Sequence, residues 1–303
     1  MRVFVTGASG WIGSGVVTEL IEAGHHVVGL ARSDASADAV AAAGAEVHRG
    51  SLEDLESLQS GAATSDGVIH LAFIHDFSEY EHAVAADLRA IEAMGSALEG
   101  SGRPLVIASG IAALRSQDKA TEDDPPVPEF PRAPAAIATV AMAERGVRSS
   151  VVRLPPTVHG RGDDGFVPTL ITIARLRGRS GYIGPGDNRW PAVHRNDAAR
   201  LFGLALEKAP AGAVLHAVAD EGVRTHTIAD VIGRHLGMPV VSVPPEQAGE
   251  HFSWLGRFFA SDVPASSVAT QEQLGWKPVE PSLIEDLEEG HYFQDPTKRG
   301  LPL

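Results

Sequence analysis

The residues best suited to chemistry stand near the start of the chain. Thr6-Gly7-Ala8-Ser9-Gly10-Trp11-Ile12-Gly13 follows the apolar run Val3-Phe4-Val5, and Ile12, Val16, Val17, Leu20 and Ile21 then recur at helical spacing. At such a strand-to-helix junction one glycine allows a tight turn, one lets a pyrophosphate approach the backbone, and one lets the helix pack on the strand. Gly7, Gly10 and Gly13, with Ser9, Trp11 and Ile12 among them, therefore predict a dinucleotide site at the N-terminus of the first helix, where amides and dipole favour negative charge. Its identity is read at the end of the second strand, where an acid accepts from a ribose 2′-hydroxyl and an arginine accommodates a 2′-phosphate. This chain has Ala31-Arg32-Ser33, a planar cation and a hydroxyl with no acid, which predicts NADP(H).

The elements that must position this turn are legible as well. RVFVTG, HVVGLAR, AEVHRG, DGVIHLA, PLVIASG and RSSVVRLP read as strands separated by helical patterns, among them a long helix from about Ser78 to Leu98. That alternation predicts an α/β fold, a Rossmann-type doubly wound parallel sheet with helices on both faces. After Pro155-Pro156 the pattern changes to a smaller, mixed lobe: a helix in FVPTLITIARLRG, the turn-rich YIGPGDNRWPAVH, a helix in NDAARLFGLALEKA, a strand AVLHAVA, a helix around Ile228 to Leu236, a strand PVVSVPP and terminal helical pieces. The boundaries expected are 1–158, with 191–217 returning, for the dinucleotide domain, and 159–190 with 218–303 for a substrate lobe.

Composition narrows the partners. Of 303 residues 44% are apolar, enough for a full core, and no run approaches the length of a membrane span. The chain opens straight into strand residues, so a cytoplasmic location is expected. It has no cysteine, which removes disulfides, thiolate metal sites and a cysteine nucleophile. A net charge of −14 disfavours nucleic acid and anionic membranes and leaves a small molecule as the expected partner. His70, His75 and His82 lack a known ligand spacing, so no metal is expected.

The TGxxGxxG spacing resembles that of the extended and atypical short-chain dehydrogenases/reductases, the NAD-dependent epimerase/dehydratase-like group that includes nucleotide-sugar epimerases and dihydroflavonol-type reductases. The likeness extends through GVIHLA, VVRLPPTVHGRGD, PAVHRNDAARL and LGWKP. It implies that Ser51 and Leu52 lie on the adenine side, that Leu71, Ala72 and Phe73 pass beneath the cofactor, and that Ser109, Pro155, Thr157 and Val158 border it.

The same resemblance implies a tyrosine acid, a lysine four residues later and a hydroxyl past the fifth strand. None is present: Arg132 and Ala136 stand at the tyrosine and lysine positions, and Gly110 at the hydroxyl position. Arginine cannot donate a proton near neutral pH. His75, after the fourth strand, and His159, where the family often has tyrosine, are the candidate proton donors. Asp76, Tyr80, Arg132, Tyr182, Arg189 and Trp190 are the candidate substrate contacts. The function expected is an NADPH-dependent reductase of a small ketone, aldehyde or related unsaturated group; a catalytically silent NADP(H)-binding protein and an isomerase or dehydratase using bound cofactor transiently remain as alternatives. The resemblance also implies a homodimer through the long helix and the alanine-rich helix that carries Ala135, Ala138, Ala141 and Ala143.

Overall fold

The computed structural model describes residues 1–75, 79–114 and 118–294. Its strands are β1 (Arg2–Thr6), β2 (His26–Ala31), β3 (Glu46–Arg49), β4 (Gly67–His70), β5 (Pro104–Gly110), β6 (Arg148–Leu154), β7 (Thr157–His159), β8 (Ser180–Ile183), β9 (Arg189–His194), β10 (Ala213–His216), β11 (Asp220–Arg224) and β12 (Val240–Val243). Seven form a parallel sheet in the order β3-β2-β1-β4-β5-β6-β10. The chain winds outward from β1 in one direction and then restarts at β4 in the other. A crevice opens at that switch, beyond the carboxyl ends of the strands.

The helices are α1 (Trp11–Glu22), α2 (Asp34–Ala42), α3 (Leu55–Ala63), α4 (Tyr80–Leu98), α5 (Ala133–Ala141), α6 (Phe166–Arg177), α7 (Arg195–Lys208), α8 (Thr225–Leu236), α9 (Ala248–Phe252), α10 (Leu255–Phe259), α11 (Val268–Leu274) and α12 (Leu283–Glu288). Side chains alternate across the sheet. Val3, Val5, Ile69, Val106 and Val152 pack with Val16, Val17 and Leu20 of α1 and Leu201 and Phe202 of α7; Phe4, Val28, Val68, Leu105 and Ile107 pack with Leu58 of α3, Ile91 and Met94 of α4 and Ala135 and Ala136 of α5. Burial on both faces explains why the strands read as near-continuous β-branched runs.

A separate core joins Ile171, Ile183, Trp190, Ile228, Phe252, Phe259, Leu287 and Tyr292. It lies under the three-stranded sheet β11-β9-β7 and the parallel pair β12-β8. Two details depart from expectation. The turn-rich segment YIGPGDNRWPAVH holds β8 and β9, because its turn is confined to the middle, where Gly184 and Gly186 take φ of +57° and +71°. The α9 and α10 pair, only five residues each, carries too little periodicity to be read. On α5, Ala135 is buried in the chain's own core while Ile137 is half exposed, so a second copy approaching this helix would meet Ile137 and not Ala135. Among the described residues no helix is long and apolar enough to cross a membrane.

Candidate functional site

Each glycine of the first turn has a distinct geometric reason. Gly7 has φ +68°, and a Cβ there would lie 2.7 Å from the Ala72 amide nitrogen, so the turn presses on the chain leaving β4. A Cβ on Gly13 would lie 1.9 Å from the Gly7 carbonyl oxygen, so α1 rests directly on the turn. Gly10 closes the turn by donating to Gly7 O (2.9 Å) and precedes α1 without any side-chain cap. The Trp11, Ile12 and Gly13 amides thus have no acceptor on the helix, and no acid lies in its first turn. This is a cradle for an anion, and the pyrophosphate of a dinucleotide fits it.

The residues expected around a cofactor line the same edge, because the carboxyl ends of parallel strands share one side of the sheet. Ser9 is exposed, and Ile12 is half-buried at the start of α1. The Trp11 indole donates to Val158 O (3.0 Å), tying the turn to β7, and carries the Arg195 guanidinium 4.5 Å above its ring. Leu71, Ala72 and Phe73 run half-buried from β4; Ser51 and buried Leu52 follow β3; Ser109 is the penultimate residue of β5; Pro155 precedes β7. Thr157 is buried, and its hydroxyl has no hydrogen-bond partner among the described residues. At the end of β2, Arg32 is exposed with no hydrogen bond or ion pair among the described residues. Ser33 differs from the free donor expected, since its hydroxyl donates to Ser36 Oγ (3.1 Å) and caps α2 by accepting from Ser36 N (3.2 Å) in a capping box.

A second cluster forms around Phe73. Its ring lies 4.4 Å from the Arg132 guanidinium carbon, and the His75 and Tyr80 rings meet it edge-on at 5.6 and 6.2 Å. Arg132, half-buried at the N-cap of α5, donates through Nε to Asp87 Oδ2 (3.2 Å) and through Nη2 to Ala108 O (3.2 Å). Asp87 of α4 is fully buried and accepts from His70 Nε2 at 3.1 Å, while His70 Nδ1 lies 2.8 Å from Thr6 Oγ1. Burial pushes the Asp87 carboxyl up, but the His70 hydrogen bond and the Arg132 charge outweigh it and hold the group below the usual carboxylate range. Burial raises the Tyr80 phenol, with Arg132 opposing. Asp76 lies outside the described residues. Asp87 escaped the sequence reading, although a carboxylate on the buried stripe formed by Ala83, Ala86 and Ala90 was a signal available there.

The remaining candidates lie elsewhere. His159 is fully buried, donates through Nδ1 to Asp286 Oδ2 (2.9 Å) and packs on the His194 ring; burial leaves no surface from which to reach a substrate. Trp190 is 1% exposed, hydrogen-bonded to Ser261 O and packed behind Phe166 and Phe259, so it forms core and not a cleft wall. Arg189 is paired with Asp262 (2.9 Å), and Tyr182 packs edge-on against His226 at 4.6 Å.

Near His159, burial pushes the Asp163 carboxyl up to about 6, against hydrogen bonds from Gly165 N–H (2.7 Å) and the Tyr292 hydroxyl (3.0 Å). Unfolded, the group ionises near 3.8. Its contribution to stability is therefore complete below pH 4, fades as pH rises through 6 and is absent above, a span worth about 3 kcal/mol. Asp163→Asn, whose amide can accept from Gly165 and donate to Tyr292, should gain about 2–3 kcal/mol on the parent between pH 4.5 and 7.5 in urea unfolding. A difference independent of pH would mean that Asp163 does not titrate in this window.

The sheet order and the uncapped glycine turn at its switch point define a Rossmann-type α/β fold with an anion cradle at the crevice, beside the polar cluster beyond β4 and β5. The chain belongs to the NAD dependent epimerase/dehydratase family, whose pattern matches residues 3–218. It is 52% identical to an uncharacterized protein of Schizosaccharomyces pombe over 97% of this chain and 100% of that one. It is 30% identical to a 4-hydroxy-2-methyl-3-oxo-4-farnesyl-3,4-dihydroquinoline-1-oxide ketoreductase of Stigmatella aurantiaca, over 71% of this chain and 67% of the relative. Among solved structures, a dTDP-glucose 4,6-dehydratase of Streptomyces venezuelae with bound NAD superposes with a TM-score of 0.79 at 19% identity, covering 99% of both chains, a likeness of fold.

Proposed function

We propose that this chain is an NADP(H)-dependent reductase of a small ketone, aldehyde or related unsaturated group. The observation that carries the cofactor choice is Arg32, a cation without a partner among the described residues, at the end of β2 beside the N-terminus of α2, with no acid at Ala31. The Trp11, Ile12 and Gly13 amides would hold the pyrophosphate, and the nicotinamide would supply hydride. The ketoreductase among the relatives supports reduction of a carbonyl, and the polar groups gathered on Phe73 support placing that carbonyl beyond β4 and β5. Of the two candidate donors, exposed His75 in that cluster is the group assigned to deliver the proton; buried His159 is not.

One series of measurements tests both halves. NADPH should bind more tightly than NADH, and Arg32→Ala should remove most of the difference, since a charge-assisted contact is worth about 1.5–3 kcal/mol. His75→Gln should slow ketone reduction by ~10²-fold while leaving NADPH affinity unchanged, as expected for loss of a general acid. Equal affinities for the two cofactors would sink the NADP(H) assignment. NADPH binding without reduction of any carbonyl tried would replace the reductase with a silent cofactor-binding protein.

A further inference from the structure

We propose that Arg132 binds the substrate's carbonyl oxygen during hydride transfer and that Asp87 locks its guanidinium for that task, a proposal resting on the reductase reading above. A guanidinium has five N–H donors. Here Nε donates to Asp87 Oδ2, and Nη2 donates to Ala108 O while lying 3.1 Å from the same Asp87 oxygen. One face of the group lies on Phe73. Both hydrogens of Nη1 are left over, with no partner among the described residues, on a side chain that is 23% exposed. The two-pronged grip on a carboxylate uses Nη2 together with Nε or Nη1. Both grips are closed, and the opening that remains suits a single oxygen.

The charges agree with a neutral ligand. Thr6 Oγ1 accepts from the Leu71 and Ala72 amides at 3.2 Å, so its own hydrogen goes to His70 Nδ1, and His70 Nε2–H goes to the Asp87 carboxylate. His70 is thereby fixed as the neutral tautomer, and Asp87 balances Arg132. The pair offers little net attraction to an anion in the ground state. Its free N–H groups instead favour the negative charge that develops on a carbonyl oxygen as it is reduced. The hydride and its electron pair form the new C–H bond, the π pair of the C=O moves onto oxygen, and that oxygen takes the proton from His75; Arg132 keeps all of its own. Because Thr6 immediately precedes Gly7, the chain Thr6, His70, Asp87, Arg132 also registers the oxygen-binding group against the turn assigned to the cofactor.

The test uses the double variant Arg132→Met with Asp87→Asn, since removing Arg132 alone would bury an unpaired carboxylate. NADPH oxidation is followed with ethyl acetoacetate, cyclohexanone and acetophenone, and isobutyramide, an unreactive mimic of a carbonyl, is titrated into the NADPH complex by cofactor fluorescence. The double variant should lose ~10²-fold or more in kcat, in the range seen when an oxyanion donor is removed. It should also bind isobutyramide at least ~10-fold more weakly, the effect of losing one hydrogen bond to a charged donor, with NADPH affinity unchanged. Ketone reduction at the parent rate, or equal isobutyramide affinity in the two proteins, overturns the role of Arg132. A parent that reduces none of the three ketones, yet binds isobutyramide through Arg132, supports the oxygen-binding site and removes the reductase reading.

Discussion

Gly13→Ala should abolish measurable NADPH binding and destabilise the protein, whereas Gly15→Ala, two residues further along the same helix, should do neither. A Cβ on Gly13 would sit 1.9 Å from the Gly7 carbonyl oxygen and 2.8 Å from its carbon. Those atoms are main chain, and they belong to a residue itself pinned at φ +68° against the Ala72 backbone. Overpacking in a core costs about 1–3 kcal/mol where side chains can shift. Here α1 must lift off the turn, carrying its three free amides with it. Losing two charge-assisted contacts from those amides, about 3–6 kcal/mol, lowers affinity by more than ~100-fold. At Gly15 the nearest atoms are Arg195 and Ala199 side chains at 3.5–3.6 Å, ordinary contact, and alanine adds up to about 1 kcal/mol of helix preference. Fluorescence titration of NADPH and urea unfolding of both variants decide the matter. NADPH affinity in Gly13→Ala within threefold of the parent would mean that the turn does not hold the cofactor.

The same turn marks what a sequence can and cannot disclose. Its glycines and the six strands that open the chain are local signals: a residue type at a fixed offset, or a β-branched run forced by burial on both faces. The cluster on Phe73 is different. Arg132 is 45 residues from Asp87, which is 17 from His70, which is 64 from Thr6, and no periodicity links them. The likeness of the helix around Arg132 to a family framework drew attention to one end of this chain of contacts, but only the topology supplies the other. The same limit misplaced His159 and Trp190. Their residue types suit a cleft, yet Asp286, 127 residues from His159, and Ser261, 71 from Trp190, draw each into the interior. Arg32 stands between these cases, since its position at a strand end was local information, while its lack of a partner had to be seen.

Asp286→Ala should cost about 3–5 kcal/mol of folding stability, because it leaves two buried histidines without the acceptor that both share. Asp286 on α12 accepts from His159 Nδ1 at 2.9 Å and from His291 Nε2 at 2.7 Å, and a carboxylate, having no hydrogen to give, fixes the proton on those two nitrogens. Burial works against the charge on Asp286, but the bonds from His159 and His291 prevail and hold its carboxyl below the usual range. The clamp joins β7 to the last described turn of the chain, where the Tyr292 hydroxyl accepts from Gly160 N at 2.9 Å. Alanine supplies neither acceptor nor volume, and His159, fully buried, cannot turn to water for a substitute. Asp286→Asn keeps one acceptor oxygen and should lose less than alanine does. β7 also carries the Val158 carbonyl that receives the Trp11 indole, so the alanine variant should bind NADPH more weakly even under conditions where it remains folded. Urea unfolding at pH 7.5 measures the first effect and NADPH titration the second. An alanine variant within 1 kcal/mol of the parent would show that the clamp does not hold β7 in place.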